Sequence, residues 1–242
     1  MGNLRLANQL RGEVCGRAAA YAESQGIPFS VSRGYPPVPL FEPDRAGHGN
    51  FFAGSYRAIV REPRWKARLD KVHTSSRALP ACERGGWREL DSACSSDALL
   101  MSVFATPATM REAPVRRLLG VDPEARPEFG FSPRVPLARG YGDTTEVDMK
   151  LGDLLVEAKL TEADFQRAPK ARLDGYTDFR EVFDCKALPQ NRTQYSGYQL
   201  IRNILAAHQL GLRFCLMHDA RRPDLREDYY AVLRAVRLSE LA

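Results

Sequence analysis

The stretch Glu146–Val147–Asp148–Met149–Lys150–Leu151–Gly152–Asp153–Leu154–Leu155–Val156–Glu157–Ala158–Lys159 decides the reading of this chain. Side chains alternate with period two along a strand. The stretch therefore reads as two strands, over 144–149 and 154–160, joined by a tight turn. The first carries Glu146 and Asp148 on one face. The second carries Glu157 and Lys159 on one face and Leu154, Val156, Ala158 and Leu160 on the other. Two carboxylates and a lysine thus converge beside a sheet whose other side is core. Charges left unpaired near a core are costly, so charges that end an apolar strand ask for a reason.

Hard divalent ions prefer oxygen ligands. Asp148 and Glu157 supply carboxylates, and the backbone carbonyl of Ala158, between Glu157 and Lys159, is a third candidate ligand. An ion held there lowers the pKa of bound water and contacts a phosphate oxygen. Lys159 would stand near the water and the scissile phosphate, either orienting the one or stabilising the charge on the other. Glu146 shares the face of Asp148 but sits two residues earlier. The plain alternative is a solvated strand face, because Glu-Ala-Lys is a common tripeptide.

Outward from this hairpin the pattern is helical before and mixed after. Leu6, Leu10, Val14, Ala18 and Tyr21 predict a helix over 4–25, ended by Gly26 and Pro28. Residues 27–53 read as an irregular arm. A basic helix follows over 54–72 with a break near Pro63, then helices over 92–104 and 107–119. Extended structure is expected from about 128. After the hairpin, Thr161–Phe165 reads as a capped helix start, 193–209 as a helix stopped by Gly211, 212–217 as a buried strand and 225–241 as a last helix. This order argues an α/β fold, a central sheet flanked by helices behind an N-terminal helical region. The expected division is 1–84 and 85–242.

The 242 residues can bury a core without a staple. Thirty-five Lys and Arg against thirty Asp and Glu give +5, which is compatible with nucleic acid without demanding it. Cys15, Cys82, Cys94, Cys185 and Cys215 are scattered, as are the four histidines, so a structural zinc is not expected. The odd cysteine count suits a reducing compartment, and a cytoplasmic location is the expectation. No apolar run is long enough to span a membrane. Gly140, Gly142 and Gly152 form no phosphate-binding pattern with a following Lys-Ser or Lys-Thr, so nothing argues for nucleotide hydrolysis.

The hairpin resembles the signature of the PD-(D/E)xK nuclease superfamily, in which an Asp on one strand and an acid before x-Lys on the next bind metal. The matching residues are Asp148, Glu157 and Lys159; Val147 stands where the motif's name has proline. The chain is also similar to a family of restriction-endonuclease-like proteins through Leu154–Phe165, Ser95–Ser96–Asp97 on a helix ending at Phe104, Tyr198–Gln199–Leu200–Ile201–Arg202–Asn203, and Trp65, Arg68, Lys71 and His73. The resemblance implies a restriction-endonuclease-like core with a mixed sheet. It implies metal-dependent hydrolysis of DNA phosphodiesters, in restriction or repair, with Mg²⁺ as the ion and Mn²⁺ as a substitute. It further implies that Gln199 borders the site and that Asp97 is an additional metal contact.

Arg64, Arg68, Lys71 and His73 on and after the basic helix, with Arg202, are the expected nucleic-acid contacts, since phosphate contacts position a duplex. Each has an ordinary alternative: a solvated helix face for Gln199 and the basic residues, a helix-start charge for Asp97. DNA is the expected partner, and a homo-oligomer is compatible with this reading. The competing classes are a nucleic-acid-binding or structural descendant without turnover, and an unrelated metal-dependent enzyme.

Overall fold

A computed structural model describes residues 2–45, 47–73, 79–82, 84–140 and 142–237, with side chains from residue 4. The chain divides into two compact units, Met1–Phe129 and Gly130–Ala242. The expected boundary at residue 84 lies inside the first.

The first unit begins with α1 (Gly2–Gln25), then the arm, whose short strands β1 (Ser30–Val31) and β2 (Pro39–Leu40) pair antiparallel. The basic segment is two helices, α2 (Ala53–Arg61) and α3 (Pro63–Arg68), parted at Glu62, whose side chain accepts from Arg64 N at 3.2 Å and so caps α3. A 3-10 turn (Glu89–Asp91) precedes α4 (Ser96–Phe104). The helix starts later than the expected residue 92 because Ser95 Oγ caps it, accepting from Ala98 N at 3.1 Å. The expected single helix over 107–119 is two, α5 (Pro107–Arg111) and α6 (Ala113–Leu119). Pro114 has no N–H, and its ring would clash with a helical carbonyl four residues back. Phe51, Ile59, Leu90, Ala98, Met101 and Ala105 form the buried centre, with Trp65 packed against it and its Nε1 donating to Pro127 O at 3.0 Å.

The strand β3 (Pro127–Phe131) spans the junction of the units. The second unit continues with the short pair β4 (Val135–Pro136) and β5 (Gly142–Asp143), then β6 (Val147–Leu151) and β7 (Leu154–Lys159). Next come β8 (Arg167–Pro169), α7 (Lys170–Leu173), α8 (Phe179–Val182), β9 (Gln194–Ser196), α9 (Tyr198–Leu210), β10 (Arg213–His218) and α10 (Pro223–Leu233). The central sheet has the order β10-β7-β6-β3. β6 and β7 pair antiparallel as a hairpin, and β10 pairs parallel with β7. The fold is mixed α/β, a four-stranded mixed sheet flanked by helices.

The hairpin turn needs Gly152 at φ 60°, a conformation L side chains rarely adopt. β7 is buried at all six positions, on both faces. The parallel partner β10 makes it an interior strand, and α9 covers the face of Leu155, which joins Leu200, Ile201, Ile204 and Leu205 in the core.

Two expectations around this core are corrected. Residues 160–166 form a loop and not a helix start. The 193–209 helix begins only at Tyr198, because Gln194–Ser196 pairs with β8 and Gly197, at φ 75°, turns the chain. A Cβ at Gly197 would stand 2.9 Å from Val232 Cγ2. The last helix ends at Leu233, and the expected residues 238–241 lie outside the described ones.

Candidate active site

The pairing of β6 with β7 runs from Leu151↔Leu154 to Met149↔Val156. One step further along this register, Asp148 stands opposite Glu157. Residues directly opposite in a sheet share a face, so the two carboxylates face the same way, as the alternation predicts. At this point the N–H of Ala158 donates to Asp148 Oδ2 at 2.7 Å. The half-buried Asp148 side chain is therefore bound to the strand that carries Glu157.

Glu157 is 2% exposed, so its charge needs partners. Lys159, two residues on and on the same face, donates from Nζ to Oε1 at 2.7 Å. Asn203 of α9, fully buried, donates from Nδ2 to Oε2 at 2.8 Å. Lys159 is itself buried, with Nζ 5.9 Å from the centre of the Phe165 ring. Burial opposes the lysine charge, but the charges of Glu157, Asp148 and Glu162 outweigh it, and its pKa lies above the ordinary lysine value. It is an ammonium with three hydrogens to donate.

Two buried arginines hold the segments that lead into and out of this hairpin at its open end. Arg202 of α9, 2% exposed, donates to the carbonyls of Thr145 and Glu146 just before β6. Arg222, fully buried and paired with Asp224 at 2.7 Å, donates to the carbonyls of Glu162 and Ala163 at 2.8 and 3.2 Å in the loop after β7. A guanidinium offers five N–H donors in a rigid fork, which suits clamping two adjacent carbonyls. The first residue of α9 is braced as well: the Tyr198 and Tyr176 hydroxyls both donate to Asp143, whose other oxygen accepts from Thr145 N at 2.8 Å.

The helix geometry places Gln199. α9 leads through Gly211 into β10, so it runs opposite to β10 and β7. Its first turn lies over the strand ends at Lys159 and His218. Gln199 is four residues before Asn203, about one turn or roughly 6 Å along the helix. Lys159 is two residues beyond Glu157, about 6.6 Å along the strand. Gln199 is half-buried, its backbone N–H donating at 3.1 Å to the carbonyl of Phe165, whose ring lies under Lys159 Nζ.

The structure therefore brings Asp148, Glu157, Ala158 and Lys159 together, and Gln199 stands one turn before Asn203 on the helix that partners Glu157. Sequence reading missed Asn203 as a partner of Glu157. The signal was present, since Asn203 follows Gln199 at the four-residue spacing that shares a helix face. Arg202, expected at a nucleic-acid surface, is a buried clamp whose guanidinium is taken by backbone.

In the first unit, Asp97 Oδ2 accepts from Arg68 Nη2 at 2.9 Å and from Lys71 Nζ at 2.8 Å; Lys71 also lies 3.6 Å from Glu89. With Glu89, the candidate metal acid thus balances the two candidate phosphate contacts. Burial opposes the Lys71 charge, yet Asp97 and Glu89 raise its pKa. His73 is half-buried, and burial lowers its pKa. Of this set Arg64 alone is exposed.

Among the described residues no three His, Cys, Asp or Glu side chains gather as metal ligands. Asp148, Glu157 and the Ala158 carbonyl remain an all-oxygen set that fits Mg²⁺, an ion that keeps several waters and takes few carboxylates. Asn203 Oδ1, beside Glu157, is a buried oxygen without a hydrogen-bond partner. An acceptor left bare at the carboxylate is what a water-rich ion site would satisfy.

The profile of the family described as Restriction Endonuclease associating with ARP matches residues 18–242. No curated protein and no solved structure matches the chain.

Proposed function

The chain belongs to the family Restriction Endonuclease associating with ARP, and from that premise we propose that it hydrolyses DNA phosphodiester bonds with Mg²⁺, Mn²⁺ serving in its place. The observation that supports this most is Glu157, buried between Lys159 and Asn203 with Asp148 opposite on the hairpin. Asp148, Glu157 and the Ala158 carbonyl would hold the ion, which when bound supplies an acidified water and a contact to phosphate oxygen.

Lys159 stabilises the anionic transition state by donating to a non-bridging phosphate oxygen. It is held by Glu157 until charge on the substrate draws it away. Asn203 keeps one Glu157 oxygen fixed while this happens. Gln199, one turn before Asn203 on α9, offers its amide hydrogens to the same phosphate. Arg202 and Arg222 act on the backbone before and after the hairpin and so fix the distance between the two carboxylates. Arg64 is the one exposed member of the basic set available to a DNA backbone.

The test uses the full chain with supercoiled, linear and single-stranded DNA, in Mg²⁺, Mn²⁺ or EDTA. Cleavage should need the divalent ion and should be abolished in Asp148→Ala. Lys159→Ala should slow cleavage while DNA affinity stays nearly intact, because its contact is made in the transition state. Cleavage that persists in excess EDTA, or at full rate in either variant, refutes the assignment.

A further inference from the structure

His218 has no role in the site as described so far. It ends β10, in register with Lys159 at the end of β7. Neighbours in a parallel pair share a face, so His218 lies on the face of Glu157 and Lys159. The two strands end together, and the carboxyl ends of parallel strands are where open α/β sheets bind ligands. The loops that follow both strands, at 160–166 and 219–222, meet at Arg222, which bonds Glu162 and Ala163 of the first loop.

The hydrogen bonding of the imidazole decides which nitrogen is available. Nδ1 lies 2.8 Å from the carbonyl oxygen of Asp219. A carbonyl only accepts, so Nδ1 carries the hydrogen. A neutral imidazole then has its lone pair on Nε2. The Asp219 carboxylate does not compete for the ring: Arg221 holds it through Nε, Nη2 and its backbone N–H at 2.9, 2.7 and 2.9 Å. Among the described residues, Nε2 makes no hydrogen bond.

A water poised to attack phosphorus needs an acceptor for one of its hydrogens, which directs an oxygen lone pair at the target. Lys159 only donates. The carboxylates of Glu157 and Asp148 already accept from Lys159, Asn203 and Ala158 N and are the groups assigned to the ion, and the open Asn203 Oδ1 is assigned to the waters of that ion; His218 Nε2 is an acceptor on this face with neither task. We propose that His218 is a further catalytic residue, its Nε2 accepting a hydrogen bond from the attacking water. This rests on the hydrolytic reading above.

The test separates the two nitrogens. In His218→Asn the amide N–H can still donate to Asp219 O, but nothing occupies the place of Nε2. In His218→Gln an amide oxygen reaches about that place. His218→Asn should lose roughly 100-fold in kcat, the low end for a positioned proton-accepting side chain. Its KM, its duplex affinity in Ca²⁺ and its Tm should stay near wild type, and His218→Gln should recover part of the rate. Full kcat in His218→Asn, or a loss confined to affinity or Tm, overturns the inference. Nitrogen-15 spectra of the imidazole give a second readout that needs no turnover. In the neutral ring Nε2 should be the nitrogen without the hydrogen, and it should shift when Ca²⁺ and duplex are added together. A proton on Nε2 of the neutral ring, or no shift, overturns the inference whether or not the protein cleaves DNA. A wild-type protein that cleaves DNA while Nε2 of the neutral ring is protonated or does not shift refutes the role of His218 alone, whereas one that cleaves nothing refutes the hydrolytic reading and with it the catalytic role of His218.

Discussion

Replacing Lys159 by Met keeps the straight chain and removes the charge that faces Glu157. The side chains of the pair are 6% and 3% exposed, so water screens little of what is lost. Removing one partner of a buried ion pair costs about 3–5 kcal/mol, because the other charge stays buried without compensation. For a chain of this size that lowers Tm by on the order of 10 °C. Adding Glu157→Gln removes the orphaned charge, so the double variant should regain most of the loss. A divalent ion should do the same by another route. In the single variant it no longer competes with the ammonium for Glu157, so its binding tightens. An ion present at about 100 times its Kd returns roughly 2.7 kcal/mol. The assay is thermal and urea unfolding of wild type, Lys159→Met and the double variant, each with Mg²⁺, Mn²⁺ or EDTA. The single variant should show the largest rise in Tm with ion and the double variant the smallest. Equal rises in all three would refute the idea that Lys159 and the ion share Glu157.

Arg222→Met should cost about 3–5 kcal/mol by leaving Asp224 buried and alone, and hydrogen exchange should speed up at residues 160–166, where its carbonyl clamps are lost; unchanged exchange there would deny the clamp. Arg64→Ala should lower the slope of log affinity for duplex against log salt by about 1, whereas Arg68→Ala should leave the slope unchanged and lower Tm, since Asp97 neutralises Arg68. Burial of Asp143 opposes its charge, but hydrogen bonds from Thr145 and Tyr176, with Arg202 nearby, outweigh it and hold the carboxyl below its ordinary value. A depressed carboxylate contributes stability above its unfolded pKa and loses it as pH falls through the folded value. Asp143→Asn should therefore cost more at pH 7 than at pH 3, read by urea unfolding at the two pH values.

The chain's own pattern determined the hairpin, because period-two alternation and the tight turn are local properties. Asp148, Glu157 and Lys159 on one face follow from spacing alone, as do the break at Pro63 and the stop at Gly211. Tertiary structure decided what those residues touch. The alternation marks the Glu157 face as polar, but it cannot show that β10 pairs parallel with β7 and that α9 closes the face, making a solvated pair a buried one. Asn203 and His218 come to the site only through those non-local pairings, from 46 and 59 residues beyond Glu157 and Lys159 respectively. Arg202 reads as a surface cation in one dimension, and its burial depends on two carbonyls 56 and 57 residues away. The loop at 160–166 has a helix-start composition, but Arg222 takes its carbonyls, a competition that local propensity does not register. Asp97, Arg68 and Lys71 were legible as charges on helical segments. That they pair with one another is set by how α3 and α4 come together in space.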